Sequence, residues 1–409
     1  MSTVHEGPAW RFPVIGGELS VGGQPLSLLA ARVGRTPFFA YDRALLTQRV
    51  HDLRQALPGT ISLHFAMKAN PMPALVCHMA GLVDGIDVAS GGELGVALDS
   101  GMDPHEISFA GPGKSEQELG QAVAAGVLVN AESMRELRLL ADWQARLGRA
   151  ARVAVRVNPD FELKSSGMKM GGGPKQFGID VEQVPAALRE IATLGLGFEG
   201  FHIFSGSQNL RADSICDAQT KTLALATRLA EHAPAPLKVL NLGGGFGIPY
   251  FPGEQALDLA PISANLERIA EQAASELPGA ELVIELGRYL VGEAGVYVSR
   301  VVDRKVSRGE VFLVLDGGLH HQLAASGNFG QVIRKNYPVA IGNRMLSDQR
   351  EQASAVGPLC TPLDLLADRM ELAQAQPGDL VVVFQSGAYG LTASPSRFLS
   401  HPGAQEVLV

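Results

Sequence analysis

Eight short, mostly apolar runs alternate with helical stretches through the middle of the chain, and this alternation restricts the fold more than any other feature. Such runs predict strands, and apolar residues spaced by three and four positions between them predict helices. The eight runs cover residues 61–67, 83–88, 107–110, 126–129, 152–157, 197–203, 238–242 and 282–286. Eight strands with intervening helices predict a closed parallel (β/α)8 barrel of the TIM type, whose usual length is about 250 residues.

The sequence on either side of the barrel predicts a second, sheet-based domain. Beyond residue 291, β-branched runs at 296–302, 311–315, 338–341 and 380–384 predict an antiparallel β domain. Strands within residues 1–42 would complete it. The predicted fold is α/β, with a barrel domain at 43–290 and a β domain at 1–42 and 291–409. An open doubly wound sheet is the alternative, but it would normally carry a glycine fingerprint after its first strand, where this chain has Lys68.

The composition favours a cytoplasmic protein with small-molecule partners. At 409 residues the chain is long enough for two domains, and its net charge of -8 argues against a nucleic-acid surface. Its cysteines, Cys77, Cys216 and Cys360, are too far apart for a zinc site or a disulfide framework, so we expect no metal and a reducing compartment. The first residues lack the apolar core of a signal peptide, and no run of about 18 apolar residues predicts a membrane span.

Lys68 ends the first predicted strand, and the following Ala69-Asn70-Pro71 turns the chain. An amine at the mouth of an apolar site loses solvation of its charged form, so its pKa falls and it can attack a carbonyl carbon. A strand-end lysine that simply extends to water is the more common case. The residues at the other strand ends decide between these two explanations.

Polar residues follow or end six of the predicted strands. Reacting groups of a barrel enzyme gather at the C-terminal ends of its strands. The positions are Lys68, Asp87, Arg156 and the segments 202–207, 243–247 and 285–288. This coincidence predicts an active site at that end of the barrel.

The glycine run at 243–247 predicts a phosphate site, because its backbone N–H groups are open to a ligand and Ser207 and Arg288 can add donors. A plain tight turn is the ordinary explanation, and the run lacks the dinucleotide-binding register. A lysine amine, a phosphate cradle and the Glu285 carboxylate together meet the needs of pyridoxal 5'-phosphate. Its aldehyde forms an imine with Lys68, and a carboxylate keeps its pyridine nitrogen protonated. The ordinary role for Glu285 is an ion pair with Arg288, but their spacing on a strand end is poor for pairing.

The chain carries six ordered motifs, and they extend into the predicted β domain. They are His64-Phe65-Ala66-Met67-Lys68-Ala69-Asn70, the segment 85–94, the run 243–247, Glu285-Leu286-Gly287-Arg288, Gly357-Pro358-Leu359-Cys360 and Gly387-Ala388-Tyr389-Gly390. In this order they resemble the motifs of the fold-type III pyridoxal-phosphate decarboxylases that act on diaminopimelate, ornithine and arginine. The resemblance implies a homodimer of barrel and β domains with active sites shared between subunits.

The resemblance also implies roles for individual residues. Lys68 would hold the internal aldimine, Glu285 would pair with the pyridine nitrogen, and Cys360 of the partner subunit would reprotonate Cα after carbon dioxide leaves a quinonoid. Asp87, Glu93 and Arg156 would orient the lysine and its carboxylate neighbours. Further implied coenzyme contacts are Asp87, His202, Phe204, Ser207, Gly243, Gly244, Gly245, Gly287, Arg288 and Tyr389. Implied substrate contacts are Arg156, Arg288, Thr361 and Tyr389.

Three positions depart from the family pattern. Thr361 follows Cys360 where the family places an acidic residue for the substrate's distal ammonium, and a hydroxyl cannot neutralise that charge. The arginine and tyrosine of diaminopimelate decarboxylases are not evident in the segment 317–322. The run from Phe201 to Ser207 is longer than the family's usual run from the ring-stacking histidine to the phosphate serine. Counting forward from Phe201 makes His202 the ring-stacking group, whereas counting back from Ser207 makes it Phe204.

The segment Cys360-Thr361-Pro362-Leu363-Asp364, together with residues 394–402, looks more like a side branch of the family. That branch includes exosortase-associated, siderophore-pathway and carrier-protein-linked glutamyl decarboxylases. We therefore predict decarboxylation of an amino acid or amino-acid conjugate whose tail is uncharged or tethered to a carrier protein. The alternatives are a diaminopimelate decarboxylase, an amino-acid racemase, which would need a second base where this chain has Cys360, and a non-catalytic regulatory homologue.

Overall fold

The polypeptide forms two units, which are described one after the other. The computed structural model describes residues 11–162, 168–169, 171–329, 331 and 333–409. The barrel unit comprises Val50–Ile248 and Ala256–Tyr289. The β unit comprises the described residues 11–49 together with Pro249–Gln255 and Leu290–Val409.

Eight parallel strands close into a barrel, which confirms the predicted fold. In chain order, barrel strands one to eight are Ile61–Ala66, Gly85–Val88, Ile107–Phe109, Leu128–Ala131, Arg152–Asn158, Gly197–His202, Val239–Gly244 and Glu281–Leu286. Each strand pairs with the next, and strand eight pairs with strand one through Leu282 and Ile61. Strand seven runs into the glycines, so Gly243 and Gly244 belong to the strand and not to the turn after it.

Helices connect successive barrel strands, as the alternation predicted. They span Pro73–Ala80, Gly91–Asp99, Glu116–Ala125, Met134–Leu147, Val184–Leu194, Ala212–Ala230 and Ala260–Glu276. The helix Arg43–Ala56 precedes strand one, and the short helix Arg288–Val291 follows strand eight. Local sequence sets the helix ends: Ser115 and Glu118 form a reciprocal capping box, and Gly126 closes that helix with a left-handed φ of 81°.

The β unit is built on a mixed sheet. Its strands are Phe38–Tyr41, Gly295–Ser307, Glu310–Leu315, Val339–Ile341, Arg350–Val356, Leu365–Ala373, Leu380–Val383 and Gln405–Leu408. The N-terminal strand Phe38–Tyr41 pairs with the start of Gly295–Ser307, as predicted for residues 1–42. The predicted β domain is present, but its sheet is mixed and not antiparallel throughout, because Glu310–Leu315 pairs in parallel with Arg350–Val356 and Gln405–Leu408 pairs in parallel with Phe38–Tyr41.

One apolar cluster holds the β unit together. It joins Leu26 and Leu29 of the helix Leu26–Val33 to Val296, Val298 and Val382 of the sheet, all fully buried. A small separate sheet of Val14–Ile15, Glu18–Val21 and Gln24–Pro25 adjoins that helix in sequence. Within the described residues, no helix is both long and apolar enough to span a bilayer.

Candidate active site

Lys68 lies in a single tight turn, Met67–Ala69, that directly follows barrel strand one. Its neighbours Met67 and Ala69 are buried, but Lys68 itself is exposed in the chain. Strand one ends at Ala66, so the lysine belongs to the turn and not to the strand. The Lys68 Nζ atom lies 5.4 Å from the centre of the Phe204 ring, a cation–π distance.

Glu285, the next-to-last residue of strand eight, is buried and receives two hydrogen bonds on the same oxygen. His202 Nε2 donates to Glu285 Oε2 at 2.9 Å, and Asn241 Nδ2 donates to Oε2 at 3.2 Å. His202 ends strand six and Asn241 lies within strand seven. Strands six and seven thus bring one side chain each to a single carboxylate on strand eight.

Positive charge around Glu285 keeps this carboxylate ionised. Burial alone would raise the pKa of Glu285, but the charge and hydrogen bond of His202, followed by the charges of Lys68 and Arg156, lower it well below its ordinary value. The pKa of Glu93 moves the opposite way, since burial raises it more than the Ala89 backbone N–H and the Lys68 charge lower it. The predicted residues Lys68, Arg156, His202 and Glu285 therefore share one electrostatic environment.

Asp87, near the end of strand two, belongs to a second interior network. Its Oδ1 accepts from His64 Nδ1 at 3.1 Å and from the Ser108 hydroxyl at 2.6 Å, and that hydroxyl accepts from Asn130 Nδ2 at 3.1 Å. The other oxygen, Oδ2, is buried and has no hydrogen-bond partner among the described residues. Burial alone would lower the pKa of His64, because it disfavours the charged ring. The Asp87 carboxylate more than offsets this and raises the His64 pKa above its ordinary value.

Backbone contacts shape the end of the barrel where a phosphate was predicted. Gly243 and Gly245 have φ of 70° and 79°, which favour glycine. A Cβ on Gly244 would overlap the Glu285 carbonyl oxygen, and one on Gly245 would overlap the Gly206 carbonyl oxygen. The Ser207 hydroxyl beside this run is buried and without a partner in the described part of the chain. These features fit a phosphate group held by backbone N–H groups and a serine.

Gly287 connects the strand-eight end to the lysine turn. A Cβ on Gly287 would lie 2.9 Å from both the Ala66 carbonyl oxygen and the Ala69 Cβ, so only glycine allows this approach. The following residue, Arg288, begins the short helix Arg288–Val291. The Glu285–Arg288 motif therefore packs against the turn that carries Lys68.

Arg156, near the end of strand five, pairs with a residue that the sequence did not single out. Its Nη1 lies 2.8 Å from Glu132 Oε1, and its guanidinium lies 5.0 Å from the centre of the Phe177 ring. Glu132 in turn belongs to a buried network with Lys114 and Glu136, whose Nζ and Oε2 atoms are 3.1 Å apart. The predicted substrate role of Arg156 stays a prediction.

The predicted residues of the β unit lie on two loops. Cys360 is exposed and Thr361 half-buried, on the turn between Arg350–Val356 and Leu365–Ala373. Tyr389 has a left-handed φ of 53° and its ring centre lies 6.3 Å from that of Phe329. Their predicted catalytic and binding roles also stay predictions.

Sequence reasoning missed Asn241, the Lys114–Glu132–Glu136 network and Asp364. The Asp364 carboxylate is buried and accepts from the backbone N–H of Leu319 at 2.6 Å and of Leu359 at 2.9 Å. A polar residue inside an apolar strand run could have indicated Asn241. Nothing in the local pattern around Asp364 distinguishes it from a surface turn residue.

A lysine on the turn after strand one, a buried anionic carboxylate and a glycine run beside a serine hydroxyl left without a partner by the described residues fit the needs of a pyridoxal-phosphate enzyme. Residues 43–292 match the family model described as the pyridoxal-binding domain of the pyridoxal-dependent decarboxylases. The chain belongs to this family, and its structure is the fold-type III barrel with an additional β unit. It is a decarboxylase that uses pyridoxal 5'-phosphate.

The chain is similar to several proteins that are named as decarboxylases. The L-glutamyl-[BtrI acyl-carrier protein] decarboxylase of Niallia circulans is 40% identical over 91% of this chain and 88% of its own length. The 2-[(L-alanin-3-ylcarbamoyl)methyl]-2-hydroxybutanedioate decarboxylase of Staphylococcus aureus is 31% identical over 89% of this chain and 92% of its own. Diaminopimelate decarboxylase from Helicobacter pylori, solved with L-lysine, superposes with a TM-score of 0.82 at 25% identity over 94% of each chain.

Proposed function

We propose that this enzyme removes the α-carboxylate from an amino acid whose side chain is joined to a larger group, such as a carrier protein. The observation that supports this proposal is the identity of the residue after Cys360. Thr361 stands there, and a carboxylate would be needed there to bind the distal ammonium of lysine-like substrates.

The turn around Thr361 supplies no other carboxylate for an ammonium group. The Thr361 hydroxyl accepts from the Leu363 backbone N–H at 3.3 Å, and the Thr361 N–H donates to the Leu359 carbonyl at 2.8 Å. Asp364, the acidic residue of the segment 357–364, is 3% exposed, and each of its oxygens already accepts a backbone N–H. A free diamino acid would therefore leave its ammonium group unpaired at this turn, which is costly.

The names of two relatives support a conjugated substrate. One describes a glutamyl unit on an acyl-carrier protein, and the other describes an alanine unit bonded through a carbamoyl group. In both names, an amino-acid unit is joined to something larger. Three relatives named diaminopimelate decarboxylase are 31–33% identical, which is below the 40% of the acyl-carrier-protein relative and close to the 31% of the other one.

The residues of the chain would divide the chemistry between them. Pyridoxal 5'-phosphate, when bound, supplies the electron sink that lets the substrate's carboxylate leave as carbon dioxide. Lys68 would bind the coenzyme aldehyde, Glu285 would hold the proton on the pyridine nitrogen, and Ser207 with the glycine run would bind the phosphate. Cys360, from the partner protomer of a homodimer, would transfer its thiol proton to Cα after carbon dioxide has left.

The test compares substrates by carbon dioxide release. We expect kcat/KM for a glutamyl thioester of pantetheine to exceed that for free diaminopimelate, lysine, ornithine or arginine by about 100-fold or more, since an unpaired charge costs several kcal/mol. Thr361→Asp should raise kcat/KM for free lysine or ornithine at least about 10-fold, and Thr361→Ser should not. Efficient turnover of any free diamino acid by the unmodified enzyme would refute the proposal.

A further inference from the structure

Two aromatic side chains at and just beyond the end of strand six are candidates to face the coenzyme ring, and they have different surroundings. His202 is the last residue of strand six, 2% exposed, with its ring edge bonded to Glu285. Phe204 lies two residues further on, and its ring is 5.4 Å from the Lys68 amine. A ring that stacks on a coenzyme bound to Lys68 must lie beside that amine, and Phe204 meets this requirement.

The hydrogen bonds of Glu285 are concentrated on one oxygen. His202 Nε2 and Asn241 Nδ2 both donate to Oε2, and Oε1 receives no hydrogen bond from the described residues. Two donors on one oxygen fix the rotation of a carboxylate about its terminal bond. Oε1 is then left to accept a hydrogen bond from a ligand donor, such as a protonated ring nitrogen.

The strands hold these donors rigidly. His202 is in register with Asn241 in the parallel pair of strands six and seven. A register shift between Asn241 and Gly244 then brings Gly244 opposite Glu285 on strand eight. Because all three side chains come from barrel strands, their arrangement does not depend on a loop.

We propose that His202 is a positioning residue that orients Glu285, and that Phe204 supplies the aromatic face for the coenzyme. The proposal rests on the proposed pairing of Glu285 with the pyridine nitrogen. It assigns edge hydrogen bonding to position 202 and ring stacking to position 204, although both positions carry an aromatic ring. The two roles require different side-chain chemistry, so they can be separated by substitution.

The experiment makes the same two kinds of change at both positions and measures the dissociation constant of pyridoxal 5'-phosphate from apoenzyme. His202→Gln keeps an amide N–H close to the position of Nε2, whereas His202→Phe keeps a ring and removes the donor. Phe204→His keeps an aromatic face, whereas Phe204→Gln removes it. We expect His202→Phe and Phe204→Gln to weaken binding about 10- to 100-fold, and His202→Gln and Phe204→His to stay within about 3-fold.

The reversed pattern, in which His202→Phe binds normally and His202→Gln does not, would overturn the assignment. So would equal losses for both variants at position 202. A second measurement is the nuclear magnetic resonance shift of an isotopically labelled pyridine nitrogen at neutral pH. In His202→Phe that nitrogen should lose its proton in part of the molecules, whereas in Phe204→Gln it should keep it, a difference that general loss of packing would not produce.

Thermal unfolding of each apoenzyme identifies a variant that fails to fold. In that event the two Phe204 variants and His202→Gln still decide the assignment, because their expected order does not depend on His202→Phe. Coenzyme binding is independent of the substrate's tail. A wrong substrate proposal would therefore leave these results unchanged, and a wrong role for His202 would leave the substrate comparison unchanged.

Discussion

The barrel unit and the β unit hold their predicted functional residues in different ways. In the barrel, the predicted carboxylates accept hydrogen bonds from other side chains. His202 and Asn241 donate to Glu285, and His64 and Ser108 donate to Asp87. In the β unit, one buried carboxylate, Asp364, holds two backbone segments. Regular strands already place the barrel groups, so substitutions there should change electrostatics. Substitution of Asp364 should instead shift the backbone segments around Leu319 and Leu359, which it binds.

The largest expected effect tests the proposed sharing of active sites across a homodimer, through functional complementation between two inactive variants. Lys68→Ala should abolish the visible absorbance of bound coenzyme and almost all activity, and Cys360→Ala should lower activity about 10²- to 10⁴-fold. Random mixing of the two variants makes half of the dimers hybrid, each with one intact site, so activity should recover to about a quarter of the unmodified level. The measurement is carbon dioxide release after refolding the two variants together.

A double variant carrying both substitutions is the control, and mixing it with either single variant should restore nothing. If the single variants remain inactive when mixed, although size measurements show hybrid dimers, then Lys68 and Cys360 do not act across subunits. In that case the proposed sharing of the active site between protomers would be wrong.

The next effect concerns the barrel's electrostatics. Glu285→Gln keeps the shape of the side chain but removes the charge that would hold a proton on the pyridine nitrogen. We expect kcat to fall about 10²- to 10³-fold with little change in thermal stability. Glu281→Gln, at the exposed start of the same strand, is the matched control and should keep activity within about 2-fold. Equal losses for both variants would show that strand eight matters only for folding.

The same contrast explains what the sequence could predict. The eight alternating strand and helix runs predicted that Lys68, Arg156, His202 and Glu285 lie at one end of a barrel. This prediction needed only the strand ends, because the C-terminal ends of all strands in a closed parallel barrel lie on the same side. The strands Arg350–Val356 and Leu365–Ala373 were missed because they mix charged and apolar residues without clear alternation. The sequence could not decide whether His202 or Phe204 stacks on the coenzyme ring. That decision depends on the hydrogen bond between His202 and Glu285, which are 83 positions apart in sequence. Asp364 was missed because burial of a turn carboxylate depends on contacts distant in sequence.

A smaller effect is expected at Asp364. In Asp364→Asn one carboxylate oxygen becomes an NH2 group that faces a backbone N–H, of either Leu319 or Leu359. An unsatisfied buried N–H costs about 1–3 kcal/mol, so the urea midpoint should fall and kcat should drop about 10-fold as Cys360 shifts. Asp348→Asn, at an exposed turn of the same unit, is the control. Normal kcat in Asp364→Asn would mean that Asp364 does not position Cys360.

The smallest expected effect is the response of the β unit to acid. Burial lowers the pKa of His321 from 6.5 to about 4, with the His401 charge acting in the same direction and the Pro402 hydrogen bond opposing. The neutral ring donates from Nε2 to the Pro402 carbonyl at 2.9 Å and accepts from the Tyr297 hydroxyl at 3.2 Å. Between pH 6.5 and 4 the unfolded chain therefore binds a proton that the folded chain does not. Stability contributed by this residue is present above pH 6.5 and decreases as the pH falls towards 4.

His321→Gln removes this proton linkage but keeps an amide donor for Pro402. The loss of unfolding free energy between pH 7 and pH 4 should be smaller in the variant by about 1–2 kcal/mol, measured by urea unfolding at several pH values. Part of the slope should remain, because burial also lowers the pKa of His320, to about 3. His51→Gln, an exposed histidine, should leave the slope unchanged. An unchanged slope in His321→Gln would mean that acid sensitivity arises outside this histidine pair, most simply in the ionised carboxylates of the barrel.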